Sequence, residues 1–108
     1  RKPDCQFMEL RRYLVAGEVQ GVGFRNYTCK KAQQIGVRGW VRNLQDGRVE
    51  ALAQGSKEQL SDFEQYLKRG PQTAKVTVIE VFEDPGQELK MSKLSEFFEI
   101  RWGEGGEK

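Results

Sequence analysis

Two hydrophobic periods alternate along this chain, and their order predicts its elements. From Leu10 to Gly17 the period is two: Tyr13, Val15 and Gly17 share one face of an extended segment, and Leu14 and Ala16 share the other. Apolar groups on both faces predict a central strand. The period then lengthens. Phe24, Thr28, Ala32 and Ile35 recur at helical spacing, and Gly36 supplies a stop. Val37 to Asn43 reads as a second strand, Leu44-Gln45-Asp46-Gly47 as a hairpin turn, and Arg48 to Gln54 as a third strand with Val49, Ala51 and Ala53 on one face. Ser56-Lys57-Glu58-Gln59 has the form of a capping box, and Leu60, Phe63 and Leu67 line the helix it opens, which Gly70-Pro71 ends. Val76 to Phe82 predicts a fourth strand, with Val76 and Val78 on its inward face. Asp84 to Ser95 is a polar connection containing Pro85-Gly86, and Phe97 to Trp102 a short last strand.

The predicted order is β-α-β-β-α-β with a short fifth strand. Each helix has one apolar face to bury, so both must cover one side of a mostly antiparallel sheet of four to five strands. This is an α+β fold of the ferredoxin-like, split βαβ type. The domain is expected to span residues 10–102, between a flexible tail at 1–9 and a frayed tail at 103–108.

Composition narrows the classes. The 108 residues are enough for one domain with a modest core, and 37% apolar content supports a globular chain. The net charge of +2 gives no broad nucleic-acid footprint, so no nucleic-acid partner is expected. No apolar run reaches the length of a bilayer span, so no membrane partner is expected either, and the location expected is cytoplasmic. Cys5 and Cys29 are too few for a disulfide scaffold or a four-cysteine zinc site. They read as free thiols in a reducing cytosol, with a Cys5–Cys29 bridge left to geometry. There is no histidine, which removes Ser-His-Asp chemistry, Cys-His chemistry and histidine metal ligation together.

Candidate chemistry lies in Val15-Ala16-Gly17-Glu18-Val19-Gln20-Gly21-Val22-Gly23-Phe24-Arg25, where a strand meets a glycine-spaced turn and then a helix start. Glycines let the backbone bend and approach a ligand closely. Several amides can then face one concavity, and the helix N-terminus adds partial positive charge. Arg25 adds a forked, permanently charged donor. Together these suit a phosphoryl group. Glu18 would repel such a group and is expected in solvent. Trp40 reads as a core or edge aromatic, Asp46 and Gly47 as turn residues, and Lys30-Lys31 as a wet helix face.

A second segment, Gly39-Trp40-Val41-Arg42-Asn43, is followed by Asp46-Gly47 and Val49-Glu50. Combined with Val19-Gln20-Gly21-Val22-Gly23-Phe24-Arg25, it resembles the acylphosphatases. That family carries a V-Q-G-V-x-F-R loop, a G-W/Y-V-x-N strand and a D/K-G-x-V turn, and all three occur here in order. The likeness extends from about Leu10 to Trp102. It includes Ser92-Lys93-Leu94 and Phe98-Glu99-Ile100-Arg101-Trp102, which are similar to the close of the animal-type members.

The resemblance implies metal-independent hydrolysis of small acyl phosphates to a carboxylate and inorganic phosphate, with no cofactor and phosphate itself as inhibitor. It assigns phosphate binding to Arg25 and a catalytic role to Asn43, whose amide can hold and orient a water. The backbone amides of Gln20, Gly21, Val22, Gly23 and Phe24 would form the cradle, with Phe24 also packing under the first helix. A monomer is expected. Two other classes share this fold or this kind of site. An RNA-binding module of this fold stacks bases on central-strand aromatics, and Arg48 to Gln54 has none. A non-catalytic accessory domain binding a phosphorylated ligand is disfavoured by the presence of both Arg25 and Asn43.

Overall fold

The computed structural model describes residues 9–83 and 98–101. Seven elements follow in order: β1 (Glu9–Glu18), α1 (Phe24–Ile35), β2 (Arg38–Asn43), β3 (Val49–Gly55), α2 (Lys57–Arg69), β4 (Lys75–Glu83) and β5 (Phe98–Ile100). The two expected terminal tails, Cys5, the Asp84–Ser95 connection with Ser92-Lys93-Leu94, and the outer residues Phe97 and Trp102 of the last strand lie outside the described residues, save Glu9, which opens β1.

The strands form one sheet in the order β4-β1-β3-β2-β5. Neighbours run antiparallel except β5, which adds parallel to β2. This is the ferredoxin-like arrangement extended by one strand. The two-sided apolar pattern of Leu10 to Gly17 has its cause here, because β1 lies between β3 and β4.

Both helices pack on one face. Phe24 and Ala32 of α1 and Leu60, Phe63 and Leu67 of α2 meet Tyr13, Val15, Val41, Val49, Ala51, Ala53 and Phe98 of the sheet in one core. The Phe63 ring sits between Tyr13 and Phe98, with centroids 5.5 and 5.6 Å away. Each such buried aliphatic or Phe side chain contributes about 1.5–3 kcal/mol. The helix boundaries follow the local signals. Gly36 caps α1 in the left-handed conformation, and its N–H donates to Ala32 O. Ser56 caps α2 in a complete capping box: its hydroxyl accepts from Gln59 N, and Gln59 Oε1 accepts from Ser56 N.

One predicted face is corrected. Val76 and Ile79 pack against the core, but Val78 is 52% exposed. The pairing of β4 with β1 shifts register at Ala16/Gly17, where Val78 opposes Ala16 and Val76 opposes Gly17. Thr77 is the extra residue, and its hydroxyl donates to Ala16 O at 3.2 Å. A bulge changes the parity of everything beyond it, so a strict two-residue alternation from Val76 puts Val78 on the wrong side.

The second sheet face carries its own order. Leu10, Trp40 and Leu52 form a small buried cluster there. Beside it Glu50, 4% exposed, accepts from Arg12 Nε and Arg42 Nε at 2.5 and 2.7 Å. Trp40 is therefore a core aromatic of this face, covered by the Arg42 and Arg101 guanidinium groups.

Candidate active site

The chain leaves β1 after Glu18, whose side chain is exposed as expected, and turns through Val19 to Gly23 into α1. Gly21 and Gly23 have φ of +74° and +82°, in the region that L side chains rarely adopt. This twist brings the loop into the helix with Gly23 as the N-cap. The α1 ladder begins with Tyr27 N donating to Gly23 O. The amides before it have no intrahelical acceptor, which is general for a first turn. No acidic side chain stands in that turn.

A cavity of about 170 Å³ opens at this point, lined by Val19, Gly21, Gly23, Phe24, Arg25, Asn26 and Ile100. Gly21, Gly23, Phe24 and Arg25 of the predicted set thus share one space. Phe24 is also 1% exposed within the core, so its ring fixes the first turn of α1 from below. Val22 does not line the cavity: it is half-buried and packs against the core. Arg25 Nη1 donates to Arg101 O at 3.3 Å, which ties the cation to the end of β5.

Asn43 closes β2, opposite Val49 of β3. It shares the helix-side face with Val41, two residues earlier. Its Oδ1 is buried, and no group among the described residues donates to it. Two connections join this strand end to the loop. Arg101, whose carbonyl receives Arg25, donates through its own N–H to Val41 O at 2.7 Å. Gln20 Nε2 donates to Leu44 O and Arg48 O at 2.7 and 2.9 Å, so it grips the hairpin immediately after Asn43. A third connection fixes the other side of the loop: Thr73 Oγ1 donates to Val22 O at 2.6 Å. The Gln20 side chain thus has a part that a reading of its backbone amide alone overlooks.

A protein-family model described as acylphosphatase matches residues 11–99. The chain belongs to the acylphosphatase family. It is 51% identical over 86 residues to an acylphosphatase of Koribacter versatilis (strain Ellin345), covering 80% of this chain and 77% of the relative. The crystal structure of acylphosphatase from Bacillus subtilis superposes with a TM-score of 0.76 at 39% identity, covering 86% of this chain and 98% of that one. The acylphosphatase from Coxiella burnetii gives 0.78 at 30% identity, covering 94% and 100%.

Within the acylphosphatase segment Gly39-Trp40-Val41-Arg42-Asn43, the glycine has a packing reason. A Cβ on Gly39 would lie 1.8 Å from Leu52 O, so only glycine lets β2 approach β3 there. Sequence reasoning passed over Val19, Asn26 and Ile100 as lining residues. Asn26 stands next to Arg25 in the first turn of α1 and could have been flagged for that. Ile100 comes from the far end of the chain, where no local signal marks it.

The surroundings of α1 also revise one expectation. Lys30 is exposed, but Lys31 is half-buried, with Nζ 5.8 and 4.8 Å from the ring centroids of Tyr27 and Tyr66. Cys29 is a free thiol, with Sγ 3.4 Å from Phe98 O. Burial, aided by the Glu99 charge, raises its pKa and keeps it protonated. Among the described residues no group of three or more His, Cys, Asp or Glu side chains could hold a metal ion. No helix among them is long and apolar enough to cross a membrane.

Proposed function

We propose that this chain hydrolyses the carboxyl–phosphate anhydride of small acyl phosphates, with the phosphoryl group held at the start of α1. The observation that carries this reading is the cavity in which Gly21, Gly23 and Arg25 face one space, with no carboxylate among its described lining residues. The amides of residues Gln20 to Phe24 and the Arg25 guanidinium hold the phosphoryl oxygens. Asn43 Oδ1, a buried acceptor that no group among the described residues satisfies, accepts from a water and aims it at phosphorus. The water oxygen forms the new P–O bond as the bond to the acyl oxygen breaks. The electron pair leaves on the carboxylate, and a phosphoryl oxygen takes the water's proton.

Phosphoryl transfer asks mainly for positioning and charge stabilisation. The leaving carboxylate needs little protonation, so a chain without histidine has what the reaction requires. The positive charge comes from the cradle and Arg25, and the reading therefore includes no metal and no cofactor. Inorganic phosphate, the product, fits the same cradle and acts as a competitive inhibitor. The reading includes action as a monomer. The scarcity of cysteine supports a cytoplasmic location.

The test is release of phosphate from acetyl phosphate by purified protein, with p-nitrophenyl phosphate as the control. Rapid hydrolysis of the anhydride and little of the ester is expected, unchanged in excess chelator. Equal rates on both, or activity that returns only with added divalent metal, would overturn the reading.

A further inference from the structure

The cradle has an exit. A second, larger groove of about 390 Å³ runs along α1 and shares Asn26 and Ile100 with the first cavity. Its other described lining residues are Cys29, Lys30 and Gln33. These positions follow Asn26 at helical spacing, so they form one stripe leading away from the first turn. The helix rises 1.5 Å per residue, which places Lys30 about 6 Å further along than Asn26. A phosphoryl group in the first cavity therefore leaves its acyl portion room to extend past Asn26 and over Ile100 toward Lys30.

The chemistry of the stripe selects what can lie there. Lys30 is exposed and is the ammonium among the described lining residues. Gln33 Nε2 reaches Phe98 O at 3.3 Å and Cys29 Sγ at 3.5 Å, so it is engaged with β5 and the thiol. The Cys29 thiol, protonated for the reasons above, brings no charge. Among the described residues, the Glu99 carboxylate acts on Cys29 electrostatically, but it accepts from Arg101 Nε and Nη2 at 3.0 and 2.8 Å and its charge is paired. Ile100 supplies an apolar floor for methylenes. The arrangement is an apolar step followed by a cation.

We propose that this groove is a subsite for the acyl portion of the substrate, and that it favours acyl phosphates carrying a second anionic group at the far end of a short methylene chain, recognised by Lys30. The proposal rests on the acylphosphatase reading of the first cavity and adds a substrate class to it.

The experiment compares three substrates on the purified protein and on two variants. Acetyl phosphate is too short to reach the subsite and tests the underlying activity alone. Succinyl phosphate and butyryl phosphate have the same chain length and differ in the distal carboxylate. The expected result is a higher kcat/KM for succinyl than for butyryl phosphate, by about fivefold, the upper size of a solvent-exposed ion pair. The preference should reside in KM, fall at high salt, disappear in Lys30→Met and survive in Lys30→Arg. No hydrolysis of acetyl phosphate would overturn the acylphosphatase reading itself. Hydrolysis of acetyl phosphate with equal use of the two longer substrates would overturn only the subsite, as would a preference that persists in Lys30→Met.

Discussion

Arg25 stands where a helix start, a glycine turn and a fixed cation coincide, and it lines the cavity that the turn encloses. In the proposed mechanism its guanidinium grips two phosphoryl oxygens at once. Arg25→Ala is expected to lower kcat/KM on acetyl phosphate roughly 100- to 1000-fold, the cost of losing one preorganised donor, about 3–4 kcal/mol. Arg25→Lys should recover little, because a point charge cannot reproduce the fork. A thermal melt on each variant separates this from unfolding, and near-normal turnover in a folded Arg25→Ala protein would refute the clamp. Asn43 makes a different prediction. Its side chain is assigned to the attacking water, so Asn43→Ala should lose kcat while inhibition by phosphate stays close to that of the parent protein. Parallel loss of both would return Asn43 to an ordinary turn-forming role.

At the scale of elements, the loop between β1 and α1 is held by side chains that do not face its cavity. Gln20 binds two carbonyls of the β2–β3 hairpin, and Thr73, in the turn before β4, binds Val22 O. A carbonyl held outward keeps the neighbouring amides free to turn inward. Thr73→Val preserves shape and removes the donor, and the expected outcome is weaker phosphate inhibition and a higher KM, with Thr73→Ser restoring both. Loss of one such hydrogen bond costs about 1 kcal/mol, or roughly a fivefold change. Gln20→Ala releases the hairpin that follows Asn43, so its larger effect should fall on kcat. Steady-state kinetics with phosphate as inhibitor distinguishes the two tethers. Unchanged constants in both variants would mean that the loop needs neither.

At the scale of the whole molecule, stability has a predictable pH dependence. Tyr13 is fully buried, and its hydroxyl donates to Glu64 Oε2 at 3.0 Å. Burial, with the Glu64 charge beside it, raises its pKa well above the usual tyrosine range. An unfolded chain releases this proton at about pH 10, while the folded chain keeps it. Above that pH the unfolded state holds fewer protons, so the contribution present below pH 10 is lost as pH rises. Midpoints of urea unfolding should fall between about pH 10 and 11. Tyr13→Phe should flatten that decline, leaving the smaller slope due to Tyr27 and Cys29, whose pKa values burial also raises. An undiminished decline in Tyr13→Phe would place its origin elsewhere.

The sequence by itself determined what depends on near neighbours. Helical spacing from Phe24 to Ile35, the Ser56–Gln59 capping box and the glycine loop into Arg25 are set within a few residues, because turns, caps and amphipathic faces have local causes. The resemblance to the family named Arg25 and Asn43 as joint candidates, which no periodicity contains. Tertiary structure decided the rest. The bulge at Thr77 arises where β4 meets Ala16 and Gly17, so the face of Val78 depends on a partner some sixty residues away. The burial of Glu50 depends on Arg12 and Arg42 arriving from two flanking strands. Ile100 joins Arg25 only because β5 adds beside β2, and Gln20 reaches the hairpin only because the sheet order sets the two loops side by side. These contacts are long-range, and a residue's local context carries no record of which distant strand will lie against it.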